Sequence, residues 1–72
     1  MKRYSIEFPV SNEQWSSEIA FSRMRKSYAD GAWAMLKAMY NRRNRFRLVE
    51  VDINNVVVNV IDEVGTGIIE LQ

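Results

Sequence analysis

The chain has 72 residues, of which 47% are hydrophobic and 26% are charged, and it contains neither histidine nor cysteine. This length and composition are those of one globular domain spanning residues 1–72, and they argue against an intrinsically disordered chain. Without histidine the chain lacks the commonest general base, and without cysteine it has no thiol nucleophile and forms no disulfide. Histidine and cysteine are also the usual ligands of structural zinc.

Positive charge is concentrated in the first two thirds of the chain, although the net charge is only +1. Residues 1–48 hold all ten basic residues against four acidic ones, a net charge of +6. Residues 49–72 hold five acidic residues and no basic one, a net charge of −5. Such a split fits ion pairing within the molecule, a head-to-tail contact, or a charged surface that binds a partner of opposite charge.

The first predicted element is a strand. Tyr4, Ile6 and Phe8 alternate with polar residues, which is the period of a half-buried strand. Pro9 lacks a backbone N–H and therefore ends this strand or places it at the edge of a sheet.

The start of the chain has no apolar segment typical of a signal peptide, and no apolar run approaches the length of a membrane span. We therefore expect a cytoplasmic protein without membrane association.

Residues 17–26 admit two interpretations. Ser11 and Gln14 have the spacing of a capping box, which would open a helix. The apolar residues that follow do not form one helical stripe, whereas Ile19 and Phe21 would share one face of a strand. We predict a strand that pairs with the first one as a hairpin.

A helix is predicted next. Ser27 and Asp30 have the spacing of a capping box, and a carboxylate is favoured near a helix N-terminus. An apolar stripe with helical spacing follows, made of Ala29, Trp33, Leu36 and Tyr40 and widened by Ala32, Met35 and Met39. Arg42 and Arg43 come at the predicted C-terminal end, where cations are favoured.

Two strands rich in β-branched residues complete the predicted fold. They span residues 45–53 and 56–61, and Asn54–Asn55 is a plausible two-residue hairpin turn between them. Residues 65–67 indicate another turn, and residues 68–71 fit a short last strand. The predicted fold is α+β, an antiparallel sheet of four or five strands in the order β-β-α-β-β, with one helix packed on one face.

The two strands after the helix are apolar on both sides, although a single helix covers only one side of a sheet. We assign Val49 and Val51 to the helix side. The residues assigned to the other side are Phe46, Leu48, Val57 and Ile61, and an apolar patch of this kind predicts a homodimer or partner interface. Coverage by the C-terminal residues, or a bulge that shifts the register, would account for the same pattern.

The arginines are the main candidates for partner binding. The predicted partner-binding residues are Arg23, Arg25, Arg43, Arg45, Arg47 and Trp15. Arginine forms bidentate hydrogen bonds to carboxylates and phosphates, so this surface suits a protein complex with an acidic surface, including one that itself binds nucleic acid. Direct binding of nucleic acid by the same arginines, with aromatic residues between them, is the alternative.

Catalysis has little support in the residues. Asp62 and Glu63 are adjacent carboxylates, but adjacent residues of an extended chain point in opposite directions, and a solvated turn accounts for them. We therefore predict no catalytic residue, no metal ligand and no cofactor, and we expect a binding protein that is not an enzyme.

The element order resembles that of several very small phage-encoded proteins. Residues 4–51 are similar in order to the phage inhibitor of bacterial RNA polymerase, although that inhibitor is acidic and the first half of this chain is basic. A helix at residues 28–40 followed by a hairpin at residues 45–61 resembles some anti-CRISPR proteins. The resemblance implies a host-directed inhibitor that blocks a host protein complex stoichiometrically in the bacterial cytoplasm. It carries over no functional residue.

Overall fold

The computed structural model describes residues 2–11, 14–39 and 45–65. Four strands form one antiparallel sheet in the spatial order β2-β1-β3-β4, and one helix packs on one of its faces. The elements are β1 (Arg3–Pro9), β2 (Trp15–Ser17), a single 3₁₀ turn (Ile19–Phe21), α1 (Lys26–Met39), β3 (Phe46–Val51) and β4 (Val57–Val64). The predicted α+β fold is confirmed, whereas the proposed strand at residues 68–71 lies outside the described residues.

The main core lies between α1 and the sheet. The helix contributes Ala29, Ala32, Trp33 and Leu36, which confirms most of the predicted stripe. Trp33 packs edge-to-face on Phe46 of β3, with ring centroids 5.9 Å apart and an interplanar angle of 87°. Met35 and Met39 are exposed, so the prediction that they widen the buried stripe is wrong. Tyr40, Arg42 and Arg43 lie outside the described residues.

The pairing of β1 with β3 decides which side chains lie beneath the helix. Ile6 pairs with Leu48, so the two share the face that α1 covers, here called the helix face. Phe46 and Leu48 are accordingly buried, at 7% and 5% exposure. Our assignment of these two residues to an open interface is therefore wrong. Because side chains alternate along a strand, an offset of one residue exchanges the two faces completely.

Val49 and Val51 consequently lie on the opposite side of the sheet, here called the far face. Val49 pairs with Ser5 of β1, and both are almost completely buried. The sheet is thus apolar and buried on both sides at β3, as the apolar residues on both faces of this strand indicate.

The segment between β1 and α1 differs from the predicted strand over residues 17–26. A hairpin partner for β1 does form, but it covers only Trp15–Ser17. A 3₁₀ turn follows, in which Ile19 is 95% exposed and contributes nothing to the core. The chain returns to β1 through an isolated antiparallel bridge between Tyr4 and Met24. A strand is not sustained here because Ile19 buries no apolar surface and Arg23 takes a positive φ of 55°.

Neither capping-box pattern opens a helix, so the capping box predicted at Ser27 is wrong. Ser11 and Gln14 close the β1–β2 hairpin, where the backbone N–H of Val10 donates to the carbonyl oxygen of Gln14 at 2.9 Å. The helix begins at Lys26, so Ser27 lies inside its first turn. Asp30 instead forms an i, i+4 ion pair with Lys26, with 3.2 Å between Nζ and Oδ2.

The β3–β4 hairpin turns where the sequence predicts but with a different loop. Asn55 has a positive φ of 63°, and its N–H donates to the carbonyl oxygen of Asp52 at 3.0 Å. Oδ1 of Asp52 accepts hydrogen bonds from the backbone N–H groups of Asn54 and Val56, at 2.8 and 2.9 Å. The loop therefore has three residues, a turn followed by one left-handed residue, instead of two.

Candidate binding surfaces

The predicted arginine surface is divided by the fold. Arg45 and Arg47 lie with Trp15 on the far face. Arg23 and Arg25 lie at the other end of β1, next to the bridge between Tyr4 and Met24. Arg43 is outside the described residues. The structure therefore joins two of the predicted arginines to Trp15 and places two others elsewhere.

The Trp15 ring lies against two cations. The Arg47 guanidinium carbon lies 4.1 Å from the Trp15 ring centroid, and that of Arg45 lies 4.9 Å away. Register explains this contact, because Trp15 pairs with Pro9 while Arg47 pairs with Glu7, two residues along the same strand and on the same face. Cation–π contacts at such partly exposed sites contribute about 0.5–1 kcal/mol each. This cluster fixes the short strand β2 to the sheet.

Both arginines of this cluster are also neutralised within the molecule. Nε and Nη2 of Arg47 each lie 2.8 Å from Oε1 of Glu7, and both side chains are mostly buried. Arg45 donates from Nε to Oε1 of Glu63 at 2.6 Å, and its Nη2 contacts the same oxygen. The charge of each arginine is thus already balanced by a carboxylate of the same chain, which weakens its attraction for an external anion. The geometry therefore argues against Arg45, Arg47 and Trp15 as the main partner-binding site.

Asp62 and Glu63 lie in β4 and are not part of a solvated turn. They point to opposite faces, as predicted, because Asp62 pairs with Leu48 and Glu63 pairs with Arg47. Trp33 Nε1 donates to Oδ2 of Asp62 at 2.9 Å, the backbone N–H of Glu63 donates to its Oδ1, and Lys37 Nζ is 3.8 Å away. The indole hydrogen bond, with help from the other two groups, lowers the pKa of the Asp62 carboxyl against partial desolvation.

Arg23 is held by hydrogen bonds to neutral groups. Its backbone N–H donates to the buried Ser5 hydroxyl oxygen at 3.0 Å. Its Nη1 donates to the carbonyl oxygens of Asp52 and Ile53, at 3.0 and 3.3 Å. The side chain thus extends from the segment before α1 to the β3–β4 turn and helps to hold that turn. Its positive charge is not cancelled by these carbonyl groups.

A group of cations assembles where β1 begins. In the bridge, Tyr4 and Met24 exchange two backbone hydrogen bonds of 2.8 and 2.6 Å. An antiparallel bridge at this position places Arg3 opposite Arg25. Four residues, here called the basic end, are brought together in this way: Lys2, Arg3, Arg23 and Arg25. The ion pairs formed within the described part of the chain all involve other cations.

Lys2 and Arg3 are not among the residues that the sequence pattern predicts for partner binding. They are separated from Arg25 by more than twenty positions, so no local pattern joins them. The only available signal was the positive charge of the first 48 residues. Recognising the group requires the pairing of Tyr4 with Met24, which is a tertiary contact.

An exposed aliphatic surface runs along β4 and its turn. Val56, Val58, Val60 and Ile61 are between 45% and 56% exposed, and Ile53 at the turn is 86% exposed. Of the predicted interface residues, Ile61 belongs to this surface. Val57 is half-buried, and Phe46 and Leu48 are in the core.

A scan against protein-family models, a search of curated proteins and a search of solved structures each found no match. No helix among residues 2–11, 14–39 and 45–65 is long and apolar enough to cross a membrane. Within the same residues, no group of three or more acidic side chains is placed to hold a metal ion. The candidate surfaces therefore rest on the geometry described above.

Proposed function

We propose that the protein is a non-enzymatic binding protein that attaches to an acidic surface of a macromolecular partner through its basic end. The resemblance of the element order to small phage proteins supports a more specific proposal. In it, the protein is a phage inhibitor of anti-CRISPR type that blocks a host protein complex stoichiometrically. In this proposal, the contact residues are Lys2, Arg3, Arg23 and Arg25, and the Trp15 cluster supports the fold.

One observation carries the proposal, namely the difference between the two groups of cations. Arg45 and Arg47 are held by Glu63 and Glu7, whereas the described residues contain no such ion pair for the basic end. Arg25 and Lys2 are exposed. Their positive charge is therefore available to steer an acidic partner and to form charge-assisted hydrogen bonds with it.

The arrangement also has a cost for the fold. Like charges held close together on neighbouring segments are destabilising, and the isolated bridge between Tyr4 and Met24 brings Arg3 and Arg25 to neighbouring positions. Features that oppose stability without an internal compensation are most often found at functional sites. An acidic partner would relieve this repulsion on binding.

The first test is affinity capture from a nuclease-treated bacterial lysate with the tagged protein, followed by mass spectrometry. We expect a stoichiometric protein complex that survives nuclease treatment. Captured material that disappears with nuclease would instead favour the alternative, a nucleic-acid-binding module. That function would then be checked by the steep loss of oligonucleotide affinity with rising salt.

The second test reverses charge at the basic end. We expect the double variant Arg3→Glu/Arg25→Glu to bind the captured partner at least tenfold more weakly, because attraction to an acidic surface becomes repulsion. Isothermal titration calorimetry measures the affinity, and circular dichroism checks the fold. The control is Arg42→Glu/Arg43→Glu, which changes net charge equally at another place in the chain. Equal loss of binding in both variants would contradict a specific role for the basic end.

A further inference from the structure

We propose that the outer edge of β4 is a dimer interface, at which a second copy of this chain pairs antiparallel with β4 across a two-fold axis. The two four-stranded sheets would then form one continuous sheet of eight strands. This interface shares no residue with the basic end, so it stands or falls independently of the proposed function.

The two edges of the sheet differ in how well they are protected. β2 forms one edge with only three residues, and Pro9 ends the neighbouring strand. β4 forms the other edge with eight residues, and it contains neither proline nor lysine. Natural proteins normally shorten an edge strand or give it such residues in order to prevent pairing with another chain. Within residues 2–11, 14–39 and 45–65, β4 is therefore the longer and less protected of the two edges.

The side chains of β4 also favour contact with another chain. Val58, Val60 and Ile61 are about half exposed on a strand that has no neighbour within the described part of the sheet. Ile53 and Val56, in and beside the adjoining turn, are exposed as well. Pairing at the edge would remove part of this surface from water while satisfying the backbone groups of the outer edge.

Charge indicates which kind of chain fits this edge. The two carboxylates of β4 already have partners in their own chain, since Asp62 contacts Trp33 and Lys37 and Glu63 contacts Arg45. The edge therefore presents no unpaired charge that would select a basic peptide. What remains is an extended aliphatic strand, and β4 of a second copy has the same length and the same character.

A two-fold axis near Val60 makes the pairing self-consistent. It places Asp62 and Glu63 of one chain beside Val58 and Val57 of the other. The two copies of Asp62 would be about four residues apart along the strands, roughly 13 Å. This separation exceeds the screening length of about 8 Å at physiological ionic strength. Parallel pairing would instead place like carboxylates side by side.

Two bulges limit how long the new ladder can be. The register between β3 and β4 shifts twice, which leaves Val58 and Ile61 without a paired residue on β3. Bulges bend a strand and increase its twist, so a long flat ladder is not available. The axis near Val60 lies between the two bulges, where Asn59 and Val60 keep regular pairing with β3. The interface is therefore a short central ladder flanked by aliphatic side chains.

Sedimentation equilibrium over a range of concentrations tests the wild-type chain. We expect a monomer–dimer equilibrium that stops at two copies, because a two-fold pairing uses each edge once. A chain that remains monomeric at high concentration, or one that forms open-ended assemblies, would overturn the proposal. Hydrogen exchange on the same protein adds a check that needs no mutation. Amides of β4 should exchange more slowly as concentration rises, and unchanged exchange would also overturn it.

The matching variant is Val58→Lys/Val60→Lys, which introduces repulsive charge at the centre of the interface. We expect its dimer dissociation constant to rise at least tenfold. The control is Val10→Lys/Met39→Lys, which makes the same kind of change at exposed sites away from β4 and should dimerise like the wild type. Dimerisation that survives the β4 variant, or that is lost equally in the control, would place the interface elsewhere.

Discussion

At the residue scale, single polar contacts join elements that are far apart in the chain. Trp33 of α1 donates its indole N–H to Asp62 of β4, 29 residues away. Arg23 reaches the β3–β4 turn across a similar distance in sequence. These contacts satisfy polar groups at the margin of the core, where an unpaired donor would oppose folding. The ion pairs Lys37–Asp62 and Arg45–Glu63 likewise join the acidic C-terminal part to the rest of the chain.

The Asp62 contact predicts a pH dependence. Since folding lowers the pKa of this carboxyl, its contribution to stability is present above the pKa of the unfolded chain and is lost as pH falls through the folded-state value. We expect Asp62→Asn to be less stable than the wild type at pH 7. The difference should shrink below about pH 4, where aspartate in unfolded chains becomes protonated.

Urea denaturation of both proteins at several pH values between 2.5 and 7 measures this difference. The control is Glu18→Gln, which removes an exposed carboxylate outside the strands and the helix. A stability difference for Asp62→Asn that stays constant across the whole pH range would show that the carboxylate charge is not responsible.

At the element scale, α1 contains a glycine that the fold does not require. A Cβ atom built at Gly31 would meet nothing within 4 Å. Glycine in a helix interior is less favourable than alanine because it loses more backbone entropy on folding. The neighbouring buried stripe, which includes Ala32 and Trp33, holds the helix on the sheet despite this cost.

We therefore expect Gly31→Ala to raise the free energy of unfolding by about 0.5–1 kcal/mol. Urea denaturation measures the change. Ala34→Gly, at another exposed position of α1, is the matched control and should lower stability by a similar amount. No gain on Gly31→Ala would mean that the glycine has a structural role in the folded or unfolded chain.

At the scale of the whole molecule, burial occurs on both sides of β3. The helix face holds the larger cluster, but Val49 on the far face has an exposure of 0%. A small domain buries a limited share of its surface, so each fully buried side chain contributes a large part of its stability. The far face is therefore part of the core around β3. The aliphatic side chains that remain exposed lie on β4 instead.

This two-sided burial predicts that Val49→Ala is strongly destabilising. We expect a loss of about 2–3 kcal/mol, from two methyl groups removed and the cavity left behind. Val10→Ala, at a position that is half exposed, should cost less than about 0.5 kcal/mol. Urea denaturation separates the two, and equal losses would contradict the assignment of Val49 to the core.

The sequence alone determined the elements whose signals are local. Period-two alternation from Tyr4 to Phe8 predicted β1, the stripe from Ala29 to Leu36 predicted α1, and the asparagines after β3 located the hairpin. These patterns are readable because the residues that report on each element lie within a few positions of one another. The extent of the first hairpin was less clear. Ile19 is apolar and therefore favours a half-buried strand in the sequence, but it packs against nothing in the core.

Only the tertiary structure decided which side of β3 lies beneath the helix and which cations form no ion pair with the carboxylates of the described residues. The face depends on the pairing of Ile6 with Leu48, and a shift of one residue reverses it without altering the hydrophobic pattern of β3. The basic end depends on the bridge from Tyr4 to Met24. The charge balance of the Trp15 cluster depends on the ion pairs of Glu7 with Arg47 and of Glu63 with Arg45. The number of these charges follows from the composition. The distances between them exist only in the folded chain.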